Sequence, residues 1–240
     1  MKIGILETGR PPEGLEAHGP YSRVFAELLG PDLDYVAYPV IEGKLPASLR
    51  DADGWLITGS RFGAYDTEPW IARLEAFLKD AVAAEVPVVG ICFGHQLLAQ
   101  ALGARVEKAS AGWGVGPHEY EVVERPTWMN GEARTFTLNA MHQDQVLSLP
   151  QGATVIARSD FCPFAALAYD GHAMSIQAHP EFGNAYERAL ITLRRGKLIP
   201  EERAAAALEL LSESGAAPDA ANAAGWIRRF FATPRNRDIA

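Results

Sequence analysis

Cys92 has the sequence context of a catalytic nucleophile. It lies in the run Gly90-Ile91-Cys92-Phe93-Gly94, which is the Gly-x-Ser-x-Gly pattern of a nucleophile elbow with sulfur in place of oxygen. Glycine is needed at both flanks because side chains there would collide across so tight a turn. The turn also places Cys92 at a helix N-terminus, whose partial positive charge favours a thiolate over a thiol.

A base and a carboxylate suited to this thiol occur far downstream, in the segment Ser175–Phe182. A thiolate nucleophile needs a base for its proton, and the base needs an acceptor on its other ring nitrogen. His179 and Glu181, separated by one proline, supply both groups. We therefore predict a catalytic triad of Cys92, His179 and Glu181, in preference to a buried structural cysteine.

The surrounding residues predict the elements that position these groups. Val86–Ile91 is a short run rich in β-branched residues, typical of a buried parallel strand, and Gln96–Leu102 is a helical run that ends before Gly103. Before the elbow, the pattern predicts strands at 2–7, 34–40 and 53–60 and helices at 21–29 and from 68 to about 82. This alternation predicts a parallel sheet with right-handed crossovers. The long connection Thr8–Pro20 is either a functional rim or a mobile loop.

The pattern changes after Gly103, where strands follow one another without helices. The predicted strands are 105–107, 119–124, 135–138, 154–157, 164–169 and 172–178. The last two are expected to form a hairpin that turns at Asp170-Gly171. Gly112–Gly116 is read as a flexible turn between strands, because it lacks the Lys-Ser/Thr end and the following helix of a phosphate loop. The sequence thus predicts an antiparallel extension of the same sheet.

Helices return near the C-terminus. Asn184 and Glu187 have the spacing of a capping box at the start of a helix that runs to Arg195. A second helix is expected from 200 to 211, a linker from 212 to 224, and a last helix whose apolar stripe is Trp226, Ile227, Phe230 and Phe231. We expect this stripe to dock on the core rather than on a partner. The domain prediction is 1–195 for the main domain and 196–240 for a C-terminal helical extension.

Composition narrows the functional class. The net charge is −8 at pH 7, which argues against nucleic acid or an anionic membrane as a main partner. No apolar run has the roughly 20 residues of a membrane span, and because the sequence goes straight into a strand we expect no secretory signal. The two cysteines, Cys92 and Cys162, have no metal-binding spacing, and a disulfide between them would consume the nucleophile. We expect no metal, no cofactor and a reducing, cytoplasmic location.

With the elbow and the His-Pro-Glu run both identified, residues 1–195 resemble a class I (triad-type) glutamine amidotransferase domain, of the free-standing type similar to the glutaminase part of GMP synthetase. The resemblance implies a flavodoxin-like α/β fold and a γ-glutamyl thioester on Cys92. It also implies that His179 is the general base and later acid, and that Glu181 orients it. The resemblance further implies that the backbone at Gly59 or Ser60, together with that of Phe93, forms the oxyanion hole.

The resemblance also implies the residues that hold the substrate. Gln96 matches the position that contacts the glutamine side chain. Ala140–Asp144 occurs where the family has a Ser-His-Gly-Asp-like loop that grasps the α-amino and α-carboxylate groups, and Met141 and Gln143 depart from that pattern. His142 in this loop either contacts substrate or only closes a strand. His95 either tunes the Cys92 thiolate or lies on a helix surface, and we favour the surface position.

Three functions follow from these residues. The first is hydrolysis of glutamine, with ammonia passed to a separate synthase subunit. The alternative is a stand-alone hydrolase of γ-glutamyl peptides such as glutathione-like compounds. The least favoured is a non-enzymatic thiol sensor based on Cys92, because a sensor has no need for Glu181 behind His179.

Overall fold

The computed structural model describes residues 1–170, 172–213 and 218–234. The strands of these residues are β1 (Lys2–Leu6), β2 (Asp34–Tyr38), β3 (Gly54–Ile57), β4 (Val88–Ile91), β5 (Val106–Lys108), β6 (Gly114–Val122), β7 (Thr135–His142), β8 (Asp144–Val146), β9 (Ala153–Arg158), β10 (Ala166–Tyr169) and β11 (Ala173–Ile176). The α-helices are α1 (Tyr21–Leu29), α2 (Pro69–Ala83), α3 (Phe93–Ala101), α4 (Asn184–Arg194), α5 (Glu201–Glu213) and α6 (Ala220–Ala232).

A nine-stranded sheet in the order β2-β1-β3-β4-β11-β10-β9-β6-β7 organises the described residues. Neighbours from β2 to β11 are parallel, and neighbours from β11 to β7 are antiparallel. Strands β5 and β8 pair separately as a two-stranded ribbon. The predicted mostly parallel sheet with an antiparallel extension is confirmed.

The parallel strands are buried on both faces because helices cover each side. Side chains alternate along β3, so that Leu56 joins one core cluster while Trp55 and Ile57 join the other. The first cluster contains apolar residues of α1, α4, α5 and α6, and the second contains those of α2 and α3. This two-sided covering explains the continuous apolar runs of the parallel strands.

The prediction that Gly112–Gly116 forms a flexible turn is wrong for its second half, because β6 begins at Gly114. A Cβ on Gly114 would lie 2.5 Å from Cε1 of Phe161. Gly116 has φ +77, and a Cβ there would lie 3.0 Å from that of Ala207 in α5. Glycine at these positions therefore serves close packing inside the sheet. Strand β7 likewise continues past the predicted end, to His142.

The predicted capping box at the start of α4 is also wrong. Gly183 occupies the N-cap position, and Asn184 is already helical. The Glu187 carboxylate is completely buried, and its Oε1 accepts a hydrogen bond from the Gly116 backbone N–H at 3.0 Å. Glu187 therefore joins α4 to β6 instead of capping the helix.

The C-terminal residues differ partly from the prediction. Helix α5 continues to Glu213, and α6 begins at Ala220 instead of after a linker to residue 224. Trp226, Ile227, Phe230 and Phe231 are buried in the first core cluster, which confirms the predicted docking of this stripe. The division of the chain at residue 195 stays a prediction.

The predicted hairpin is confirmed by the antiparallel pairing of β10 with β11, in which Tyr169 is opposite Ala173. Asp170 has φ 41, and Gly171 lies outside the described residues. Cys162 and Cys92 are both buried and free, so no disulfide joins them.

Candidate active site

Three neighbouring parallel strands deliver the candidate groups to one edge of the sheet. Strand β4 leads into Cys92, β3 on one side leads into Gly59, and β11 on the other side leads towards His179 and Glu181. The pairing keeps the strand ends level, with Ile176 opposite Ile91. The carboxyl ends of parallel strands are where ligands bind in open α/β sheets, so this edge is the candidate active site.

The turn at Cys92 has the strained geometry of a nucleophile elbow. Cys92 has φ 52 and ψ −100 between β4 and α3. A Cβ on Gly90 would lie 2.4 Å from the carbonyl oxygen of Gly94, and one on Gly94 would lie 2.6 Å from that of Ile57. Larger residues would therefore disrupt the turn. The Cys92 backbone N–H donates to the Ile176 carbonyl at 2.9 Å, which ties the elbow to β11.

His179 lies close to both Cys92 and Glu181. The Nδ1 atom of His179 lies 2.7 Å from Oε1 of Glu181, whose side chain is 1% exposed. Cys92 lies close enough to His179 to act electrostatically on its ring. Because Nδ1 faces the carboxylate, Nε2 is the ring nitrogen left for the thiol.

The electrostatics of His179 are set by two opposing effects. Burial lowers the pKa of its imidazole, but the nearby Glu181 and Cys92 outweigh burial and hold the pKa well above 6.5. This direction favours an imidazolium beside the sulfur. An imidazolium is the form that can donate a proton to a departing nitrogen.

The His179 ring is held from two further directions. Its backbone N–H donates to the Asn139 carbonyl of β7 at 2.8 Å. Its ring stacks on Phe182, with centroids 4.0 Å apart and planes inclined by 3°. The Asn139 amide also donates to the Phe182 carbonyl at 2.8 Å. These contacts fix the imidazole plane relative to Cys92.

Gly59 borders the two reacting side chains. A Cβ on this residue would lie 2.9 Å from Cε1 of His179 and 3.8 Å from the Cβ of Cys92. The hydroxyl of the next residue, Ser60, donates a 2.6 Å hydrogen bond to the Thr8 carbonyl. Phe93 is the first residue of α3, where backbone N–H groups lack intrahelical partners.

Two buried glutamines form a chain of hydrogen bonds that reaches the sulfur. The amide of Gln96 donates to the Asp144 carbonyl at 2.8 Å and to Oε1 of Gln177 at 3.2 Å. The amide of Gln177 donates in turn to Sγ of Cys92 at 3.7 Å. Sequence reasoning missed Gln177, although a polar residue directly after a buried strand was a usable signal.

Cys92, Gln96, His142 and Gln143 line one cavity of about 380 Å³. His142 is buried, and its Nδ1 lies 3.1 Å from the Asp144 carbonyl oxygen. Its Nε2 has no hydrogen-bond partner among the described residues. Burial lowers the pKa of His142 to about 3, so the ring is neutral near pH 7. The structure thus places all four residues together, with Asp144 beside them.

His95 is not the surface residue that its helical position predicts. It is completely buried, and its Nδ1 lies 2.8 Å from the hydroxyl of Ser175 in β11. Burial lowers its pKa to about 3, so it carries no charge that acts on Cys92. The residue instead joins α3 to the strand that leads to His179.

A second cavity, of about 480 Å³, adjoins the first. It contacts His179, Gly59 and residues 9–13 of the long loop after β1, so this loop forms part of the rim. Four residues line both cavities: Ser60, Arg61, Met141 and Arg194. Cys92 and His179 therefore face adjoining spaces on either side of a shared wall.

Two kinds of feature are absent from the described residues. No three His, Cys, Asp or Glu side chains among them are grouped closely enough to hold a metal ion. None of the described helices combines the length and the apolar character needed to cross a membrane.

Comparisons with known proteins agree on one family. The family model "Glutamine amidotransferase class-I" matches residues 39–192. The chain is 33% identical over 175 residues to gamma-glutamyl peptidase 5 of Arabidopsis thaliana, a match that covers 70% of each protein. It is 34% identical over 147 residues to a glutamine-hydrolyzing GMP synthase subunit of Archaeoglobus fulgidus, covering 59% of this chain and 74% of that one.

A solved structure has the same fold over most of the chain. The glutamine amidotransferase of Thermotoga maritima superimposes with a TM-score of 0.73 and 21% identity, covering 97% of this chain and 96% of that one. With its sheet order, its elbow and its matched family model, the chain belongs to the class-I glutamine amidotransferase family.

Proposed function

We propose that this protein hydrolyses the side-chain amide of glutamine through a γ-glutamyl thioester on Cys92. The observation that carries the proposal is the position of His179 beside the elbow residue Cys92, with the 2.7 Å contact between His179 and Glu181 on its other side. A thiol, a base and an orienting carboxylate in this order are the parts that acyl transfer requires.

The first half of the reaction forms the acyl-enzyme. The Cys92 thiolate attacks the γ-carbonyl carbon, and the oxyanion accepts hydrogen bonds from the backbone at Gly59 and Phe93. One such donor is worth about 3 kcal/mol of barrier. The C–N bond then breaks as His179 transfers its Nε2 proton to the nitrogen, and ammonia leaves.

The second half regenerates the thiol. His179, now neutral, accepts a proton from water, and the resulting hydroxide attacks the thioester carbonyl. The C–S bond breaks, glutamate is released and the thiolate–imidazolium pair is restored. General acid–base catalysis of this kind contributes roughly 10²- to 10⁴-fold. Glu181 holds the ring orientation throughout.

The cavity beside Cys92 provides the glutamyl-binding groups. Both hydrogens of the Gln96 amide are used inside the protein, so its Oε1 is the atom available to a substrate. The unpartnered Nε2 of His142 and the side chain of Gln143 line the same space. We assign these three residues, with Ser60 on the shared wall, to recognition of the glutamyl moiety.

Hydrolysis of γ-glutamyl peptides is the second candidate. Two observations favour it: the open cavity on the His179 side, and the similarity to a protein named gamma-glutamyl peptidase. The similarity to a GMP synthase subunit favours instead a separate synthase subunit that accepts ammonia. Both candidates use the same thioester chemistry.

The test is an assay of the purified chain for release of glutamate from glutamine and from γ-glutamyl dipeptides. We expect turnover by the wild type, none by Cys92→Ala, and none by His179→Asn. Cys162→Ala is the matched control, because Cys162 is the other buried free cysteine and lies outside the proposed triad. Substantial turnover by Cys92→Ala, or loss of turnover only in Cys162→Ala, would refute the proposal.

A further inference from the structure

Each of the two proposed reacting side chains lines a different one of the two adjoining cavities. Cys92 and Gln96 face the smaller cavity, whereas His179 and Gly59 face the larger one. The acyl group stays on the sulfur, and the leaving nitrogen departs towards the group that protonates it. The larger cavity is therefore the space into which the leaving group moves.

This space is far larger than ammonia needs. The cavity of about 480 Å³ compares with about 30 Å³ for one molecule of water in the liquid, which is similar in size to ammonia. It lies within the range of about 300–1,000 Å³ that is typical of small-molecule sites. One wall is the loop segment with Pro11 and Pro12, whose proline rings limit backbone movement. The space has room for an amino acid or a dipeptide.

The charges that line the space point to an anionic ligand. Arg10 and Glu42 form an ion pair with each other, so their charges largely cancel. The other charged side chains are the exposed Glu13 and the two arginines Arg61 and Arg194, which leave an excess of one positive charge. Arg61 is exposed and lies over the Phe62 ring, 5.2 Å from its centroid. Arg194, in the last turn of α4, is only partly exposed and lines both cavities.

Arg194 forms no ion pair with another described residue, whereas the next residue, Arg195, pairs with Glu201 and points its charge elsewhere. A guanidinium presents a planar set of donors that matches a carboxylate in bidentate fashion. A partly buried arginine without a carboxylate partner, at the junction of two cavities, is suited to bind one from a ligand.

Resting on the proposed function, we infer that the cavity on the His179 side is a leaving-group subsite for amines that carry a carboxylate. The substrate class is a γ-glutamyl amino acid or peptide, and Arg194 binds the carboxylate of its leaving half. The C–N bond is cleaved as described for glutamine, with the His179 proton passing to the amine of the departing amino acid or peptide.

The experiment compares γ-glutamylglycine with γ-glutamylglycinamide, which differ only in the carboxylate. We expect the wild type to favour γ-glutamylglycine by at least tenfold in kcat/KM. Arg194→Gln should reduce this ratio at least tenfold, Arg194→Lys should restore part of it, and Arg195→Gln should leave the ratio unchanged. Because a ratio is measured, a general loss of activity in a variant does not imitate the result.

A wild-type ratio near one would overturn the inference without any variant, and so would an unchanged ratio in Arg194→Gln. Turnover of glutamine without turnover of γ-glutamylglycine would also overturn it while leaving the proposed function intact. Failure of the wild type on glutamine and on both γ-glutamyl compounds would refute the proposed function itself, and the inference with it.

Discussion

Glu187 gives the protein a pH-dependent stability that one substitution should remove. Its carboxylate is fully buried between α4 and β6, with one hydrogen bond from the Gly116 N–H and no partner for Oε2 among the described residues. Burial raises the pKa of Glu187 from 4.5 to about 7, against the lowering effects of that hydrogen bond and of the charges on His179 and Arg194. Glu187→Gln keeps an acceptor for Gly116 and removes the ionisation.

The sign of the pH dependence follows from the number of protons that the folded and unfolded states bind. Between the unfolded pKa of 4.5 and the folded pKa of about 7, the folded protein binds more protons than the unfolded chain, so the free energy of unfolding falls as pH rises. A difference of that size corresponds to about 3 kcal/mol. Between pH 4.5 and pH 8, we expect the free energy of unfolding of the wild type to fall by about 3 kcal/mol relative to that of Glu187→Gln.

Urea unfolding followed by tryptophan fluorescence at intervals of one pH unit measures this difference. The quantity of interest is the wild-type free energy minus the variant free energy, because groups common to both cancel. Glu209→Gln, on the exposed surface of α5, is the matched control and should follow the wild type at every pH. Parallel wild-type and Glu187→Gln curves, or a difference that grows in favour of the wild type with rising pH, would refute the reasoning.

Three further substitutions test other parts of the structure. Gln177→Leu removes the amide donor to Cys92. Because a hydrogen bond to a charged group is worth about 1.5–3 kcal/mol, alkylation of Cys92 by iodoacetamide should slow about tenfold. Phe182→Leu removes the stacked ring under His179, and an aromatic contact of about 0.5–1.5 kcal/mol predicts a severalfold fall in kcat with little change in KM. Trp226→Ala in α6 should lower the free energy of unfolding by about 3–5 kcal/mol in a urea titration, and a loss below 1 kcal/mol would show that this helix is not docked.

The elbow and the parallel strands were predictable because their causes are local in sequence. Collision across the turn demands glycine at positions 90 and 94, and the Cβ distances reproduce that demand. The apolar runs of β3 and β4 were readable because both faces of those strands are covered. The stripe that begins at Trp226 was readable because helical spacing puts its residues on one face.

Other features depend on contacts between distant segments, which single-sequence patterns do not contain. The spacing of Asn184 and Glu187 is the same in a capping box as in the observed structure. Only the approach of Gly116 determines that the Glu187 carboxylate is buried. His95 has a buried partner in Ser175, 80 residues further along the chain. Gln177 acquires its role from Gln96 and Cys92, on a different element.

The position of β11 has a consequence for the protein during its synthesis. This strand is the last of the described strands along the chain, yet it lies in the interior of the sheet between β4 and β10. Until residues 173–176 are inserted, the parallel and antiparallel halves have no strand that joins them. The elbow also lacks the Ile176 carbonyl that accepts its backbone N–H.

The proposed base and its carboxylate follow β11 directly, so a nascent chain that already holds Cys92 has no partner for the sulfur. Closing the sheet and completing the proposed triad therefore both depend on pairing between segments far apart in sequence, which is intrinsically slow. A ribosome-bound chain of this protein should be inert towards γ-glutamyl compounds until its central strand arrives.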